Sequence, residues 1–251
     1  MNKPFIVGNW KMNLTLEGRK NLVRILKNKL TNVKGVDVGV CPPFVFLKDS
    51  CEILRGSPII VGAQNMHWGK NGAYTGEVSG LMIKEIGCTH VIIGHSERRI
   101  IFGETNVIIN SKLKAAFDIG LKPIFCIGER LEERESEKTN KVIDTQLREG
   151  LRRLSSEQIG QLTIAYEPVW AIGTGKTATP AQAGEVHSFI RNYLVKEYGS
   201  DVACKVRIQY GGSVKPDNVR ELLMQPEVDG ALVGGASLDA ESFISIALFS
   251  S

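Results

Sequence analysis

AYEPVWAIGTGKT, residues 165–177, decides how the rest of the chain is read. An apolar run stops there at one carboxylate, Glu167, and a proline and a glycine-bearing loop follow. Proline fixes its own φ, has no N–H to donate and pushes the preceding residue into extended geometry, so Glu167 ends a strand and does not open a helix. Gly173 and Gly175, among small neighbours, suit a loop that approaches a ligand or moves over it. The segment predicts a carboxylate base at a strand edge beneath a lid at about 168–177. A solvated surface loop is the alternative on this segment alone.

Seven further apolar runs, ending in small or polar residues, flank this one along the chain. They are FIVGNW at 5, VDVGVC at 36, IIVGAQ at 59, HVIIGH at 90, KPIFCIGE at 122, KVRIQYGGS at 205 and DGALVGGAS at 229. Runs that are apolar on both faces suit a parallel sheet covered by helices, where neither face meets water. Helical spacing fills the intervals. In Leu16–Leu30, Leu22, Ile25, Leu26 and Leu30 fall on one side and the charges on the other. Similar stretches run over 104–117, 139–154, 180–198 and 215–223. Eight strands alternating with helices in 251 residues predict one closed (β/α)8 barrel domain spanning 1–251, with an open doubly wound sheet as the alternative. The charged run Glu129–Lys141 reads as a solvated helical surface.

Composition narrows the function classes. Hydrophobic residues make up 43% and charged residues 23%, which is ordinary globular usage. A net charge of +4, from scattered basic residues, gives no nucleic-acid footprint. The five cysteines are odd in number and form no CxxC pair, which speaks against a disulfide framework and against a zinc knuckle. The start MNKPFIVGNWKMN has too short an apolar run for a signal peptide, and no stretch approaches a membrane span. The expectation is a cytoplasmic chain with reduced thiols and no membrane partner.

In a barrel of this kind the chemistry gathers at the carboxyl ends of the strands. The residues there are Asn9 and Lys11 after the first strand, His95 after the fourth and Glu167 after the sixth. Gly211, Gly212 and Ser213 follow the seventh, and Gly234 and Gly235 the eighth. Taken singly, Lys11 reads as a solvated lysine, His95 as a hydrogen-bonded core histidine and the glycine pairs as tight turns. Taken together at one mouth, they suit a phosphate, because free backbone N–H groups at a turn into a helix point at an anion. GTGKT does not make a nucleotide P-loop: the pattern needs a glycine at position 170, where Trp170 stands. The four histidines have no HExxH arrangement, and no metal or cofactor is expected.

With GNWKMN at 8, GHSERR at 94, YEPVWAIGTGK at 166, YGGSV at 210 and GALVGGASL at 230 in order, the chain resembles the triosephosphate isomerase family over essentially its whole length. The resemblance implies a single-domain TIM barrel. It implies interconversion of triose phosphates by proton transfer, with Glu167 as base, His95 as neutral electrophile, and Asn9 and Lys11 stabilising an enediolate. It makes Lys11, Gly173, Ser213, Gly234 and Gly235 phosphate ligands, with Glu97 steadying the site from behind. Pro168, Val169, Trp170, Lys176, Thr177 and Ala178 become hinge candidates. Residues 64–79 become a loop that reaches a second subunit, making a homodimer. A different phosphosugar barrel enzyme would be expected to show metal ligands or a Schiff-base lysine within a strand.

Overall fold

The computed structural model describes residues 2–172 and 177–249. Eight parallel strands close on themselves in sequence order: β1 (Phe5–Asn9), β2 (Asp37–Cys41), β3 (Ile60–Ala63), β4 (His90–Ile93), β5 (Lys122–Ile127), β6 (Thr163–Tyr166), β7 (Arg207–Tyr210) and β8 (Gly230–Val233). β1 seals the barrel by pairing with both β2 and β8. All eight runs anticipated from the sequence are present, and the sheet is closed, not open.

The two-sided apolar runs have a simple cause. In the barrel interior, Phe5, Val7, Ile92, Ile124, Cys126, Ala165 and Leu232 form one cluster. Their strand neighbours Ile6, Val91, Ile93, Phe125, Ile127 and Ile164 belong to a second cluster, between barrel and helices. Successive strand residues point to opposite faces, so a barrel wrapped in helices buries both sets. Polar strand residues are buried too, among them His90, Thr163 and Gln209, and the Gln209 amide donates to Phe5 O at 2.9 Å.

The helical layer begins with α1 (Leu16–Leu30), capped by the Thr15 hydroxyl accepting from Gly18 N–H. Its buried side carries Leu22, Val23, Leu26, Leu30 and Arg19, whereas Ile25 lies at the rim, so the apolar stripe is rotated from the one read in the sequence. α2 (Phe44–Leu54), α3 (Gly80–Glu85), α4 (Ser96–Ile101) and α5 (Asn106–Asp118) follow. The long helix Pro180–Tyr198 opens on a Thr179–Gln182 capping box with proline in its first turn. Among the described residues, no helix is long and apolar enough to cross a membrane.

The segment 64–79 has a definite shape. His67 N–H donates to Val78 O at 2.8 Å, and the His67 ring packs against Trp68 and Tyr74 at centroid distances of 4.1 and 4.0 Å. Trp68 and Tyr74 still present their outer faces to solvent.

Candidate active site

Glu167 leaves β6 with its backbone still held in the sheet: its N–H donates to Ile127 O at 2.7 Å, and Gly211 N–H donates to Tyr166 O at 2.7 Å. Two glycines make room for it. A Cβ on Gly128 would stand 1.7 Å from Glu167 O, and one on Gly211 would stand 2.8 Å from Glu167 Cγ. The residue is 1% exposed. Its Oε2 accepts the Ser96 N–H at 2.8 Å, and its Oε1 lies 3.1 Å from His95 Nε2. Cys126 sits beneath, and burial, reinforced by the Glu167 carboxylate, raises its thiol well above the ordinary value.

His95 is the N-cap of α4, where backbone N–H groups are left without intrahelical partners. Its Nδ1 accepts the Glu97 N–H at 3.2 Å. A ring nitrogen that accepts carries no proton, so the neutral imidazole bears its hydrogen on Nε2, which faces Glu167. Glu97 Oε2 lies 3.6 Å from Nδ1, beyond hydrogen-bonding reach, while its Oε1 takes the Lys11 ammonium at 2.5 Å.

Lys11 adopts φ +49°, in the left-handed region that costs a side-chain-bearing residue about 1–2 kcal/mol. Two side chains hold it there. Its N–H donates to Asn9 Oδ1 at 3.0 Å, and its carbonyl accepts from Gln64 Nε2 at 2.8 Å. Gln64 also donates to Cys41 O at 2.8 Å, so the end of β2 and the start of the 64–79 loop together fix the lysine.

Asn9, Lys11, His95 and Glu167 line one cavity of about 600 Å³, together with Ser213, Gly234 and Gly235. Gly234 precedes a short 3-10 turn, Gly235–Leu238, whose first N–H groups have no partner within the turn. A Cβ on Gly234 would meet Lys11 Cε at 3.6 Å, which places the lysine stem beside those N–H groups. The remaining candidate, Gly173, lies outside the described residues, as does the hinge candidate Lys176.

A profile described as triosephosphate isomerase matches residues 4–250. The chain belongs to the triosephosphate isomerase family. It is 60% identical over 246 residues to the triosephosphate isomerase of Carboxydothermus hydrogenoformans and 54% identical over 246 residues to that of Moorella thermoacetica, with 98% of each chain covered in both pairs. The crystal structure of triosephosphate isomerase from Bartonella henselae superposes with a TM-score of 0.89 at 42% identity, covering 99% of both chains.

Within this triosephosphate isomerase fold, four supporting residues lay beyond the sequence reading. Glu129 was read there as part of a solvated surface, and the structure corrects this: it is fully buried. Its Oε1 accepts from Tyr166 Oη at 3.1 Å and Trp170 Nε1 at 2.9 Å, and Arg134 stands 3.5 Å away. Burial raises its carboxyl pKa, against the lowering effect of those partners. Arg99 donates to Gly94 O at 2.7 Å and Cys126 O at 3.0 Å, tying the ends of β4 and β5 together beneath the two central side chains. Ile172 and Leu232 supply apolar wall to the same cavity. Only Glu129 carried a detectable signal, a carboxylate directly after an apolar strand.

Proposed function

We infer that this chain interconverts dihydroxyacetone phosphate and D-glyceraldehyde 3-phosphate through an enediolate, a step of glycolysis and gluconeogenesis, as its membership of the triosephosphate isomerase family implies. The geometry supports a division of labour. Glu167 takes a proton from one carbon of the substrate and returns it to the neighbouring carbon. His95 offers its Nε2–H to the carbonyl oxygen, so that the oxygen gains negative charge against a donor already in place. Asn9 and Lys11 balance the remaining charge of the enediolate.

The phosphate falls to main-chain N–H groups at Ser213, Gly234 and Gly235, with the Lys11 ammonium beside them. Gly173 joins them from a lid over about 168–177. Lid closure excludes water from an intermediate that could otherwise lose its phosphate. No cofactor is required, since only protons move.

The observation that carries this reading is the 3.1 Å approach of Glu167 Oε1 to His95 Nε2 within the cavity that also contains the glycine pair. Glu167 is tethered to Ser96 N–H in this arrangement and has to swing away from that donor to reach a substrate carbon.

The working unit is a homodimer, assembled around residues 64–79. Exposed apolar side chains follow four consecutive strands: Met12 after β1, Val45 after β2, Trp68, Tyr74 and Met82 after β3, and Ile101 and Phe102 after β4. Neighbouring strands of a closed barrel put these segments side by side, and such a band on one flank marks an interface. The five free thiols suit the cytoplasm.

The test is a coupled assay of the purified chain supplied with dihydroxyacetone phosphate. The expected result is formation of glyceraldehyde 3-phosphate without added metal or cofactor. A chain that is folded but silent in both directions contradicts the proposal.

A further inference from the structure

Two thiols outside the active site face each other. Cys51 Sγ, on α2, lies 3.8 Å from Cys88 Sγ, in the turn that enters β4. Both positions are held by backbone. Gly87 adopts φ +104° beside Cys88, and a Cβ on it would stand 3.4 Å from Cys51 Cβ, so α2 rests directly on the turn. Thr89 N–H donates to Val61 O at 3.0 Å, fixing the far side of the turn to β3.

We propose that Cys51 and Cys88 form a reversible intramolecular disulfide by exchange with a small-molecule disulfide, clamping α2 to the start of β4. The sulfurs must close from 3.8 Å to about 2.0 Å, within reach of side-chain rotation and a small helix shift. The thiols differ in a way that orders the steps. Cys51 is partly exposed, and its contact with the Cys88 sulfur lowers its pKa; Cys88 is buried, and its pKa is raised by that same contact and by burial. The Cys51 thiolate attacks one sulfur of the external disulfide, making a mixed disulfide and releasing one thiolate, which takes up the proton Cys51 gave. The Cys88 sulfur, losing its proton, then attacks the Cys51 sulfur and expels the second thiolate. The protein loses two hydrogens and one external disulfide becomes two thiols.

The other three cysteines are placed differently. Cys41 and Cys126 are buried in the barrel interior, and Cys204 is exposed with its S–H directed at Asp201 O, 3.4 Å away. The bridge would close residues 51–88 into a loop containing β3 and the 64–79 segment. A cross-link of that span restricts the unfolded chain and raises thermal stability. In a reducing compartment such a pair stays open until oxidised small thiols accumulate, as redox-sensing pairs do.

The experiment uses folded full-length protein carrying Cys204→Ser, exposed to oxidised glutathione and then alkylated. The expected result is an intact mass lower by two hydrogens, a peptide linking Cys51 to Cys88, two fewer alkylated thiols, and a higher melting temperature that falls back on reduction. Adding Cys88→Ser is expected to trap glutathione on Cys51, and Cys51→Ser to leave the mass unchanged. An unchanged mass in the parent, a lasting glutathione adduct there, or a bridged form that melts lower overturns the proposal. Peptide mapping of the parent decides the matter even if a serine variant fails to fold.

Discussion

Glu167 Oε1 and His95 Nε2 stand 3.1 Å apart at the ends of two strands that are not neighbours in the barrel, β6 and β4. The link between them runs through α4, whose first N–H, at Ser96, is donated to Glu167 and whose second, at Glu97, is donated to His95 Nδ1. One helix end thus parks the proposed base and sets the tautomer of the proposed electrophile.

Gly211 owes its identity to Glu167. An alanine there puts a methyl 2.8 Å from Glu167 Cγ and 3.2 Å from Tyr166 O, which displaces the carboxylate. Misplacing a reacting group by about 1 Å costs on the order of 10²-fold. Gly211→Ala is therefore expected to lower kcat by about that factor with a much smaller change in KM, checked by steady-state kinetics.

Glu129 anchors the start of the proposed lid through Trp170 and Tyr166. Glu129→Leu leaves both donors without this acceptor in a buried place, at a cost of about 1–3 kcal/mol in stability. Glu129→Gln keeps a carbonyl acceptor and is expected to lose less. Urea unfolding of the two variants gives the comparison, and kcat is expected to fall in the same order as the proposed lid loses its anchor.

His187 predicts how stability depends on pH. Burial lowers its pKa to about 4 from 6.5, while Nδ1 pairs with Glu227 O at 3.0 Å. The unfolded chain takes up this proton first as pH falls below 6.5, so stability is lost from there down to about pH 4. Between about pH 7 and pH 5 the loss from this one group is roughly 2 kcal/mol. Denaturant titrations across that range are expected to show the slope, and His187→Gln to flatten it. His90, whose pKa burial lowers to about 3, adds a slope of similar size over the same range, so about half of the total remains in that variant.

The exposed band after β1 to β4 predicts a dimer. The chain is expected to sediment at twice its own mass, and Met82→Glu, a change at a half-exposed site on α3, is expected to shift the equilibrium toward the monomer. A wild-type chain that stays monomeric at micromolar concentration contradicts the assembly.

Strands and mouth residues were legible in the sequence for a single physical reason. A helix-wrapped parallel barrel writes its strands as unbroken apolar runs and the lining of its mouth as the residues that end them, as at His95 and Glu167. The roles of the supports were not legible, because they exist only across the fold; only Glu129 left a trace, as a carboxylate after an apolar strand. Glu129 opens a run of charges and looks solvated until Trp170 and Tyr166 close over it. Gln64 begins a long loop, and nothing in its neighbourhood reveals that it holds Lys11, 53 positions away, at positive φ. Nothing around Arg99 in the sequence shows that it reaches back from α4 to Cys126 O.

The most direct test of the account is the steady-state kinetics of Glu167→Asp beside the wild-type chain, in both directions of triose phosphate interconversion. Shortening the arm by one methylene is expected to lower kcat by about 10²-fold or more while KM stays within a few-fold, because the proposed phosphate grip is untouched. A variant that turns over at the wild-type rate would show that Glu167 is not the base.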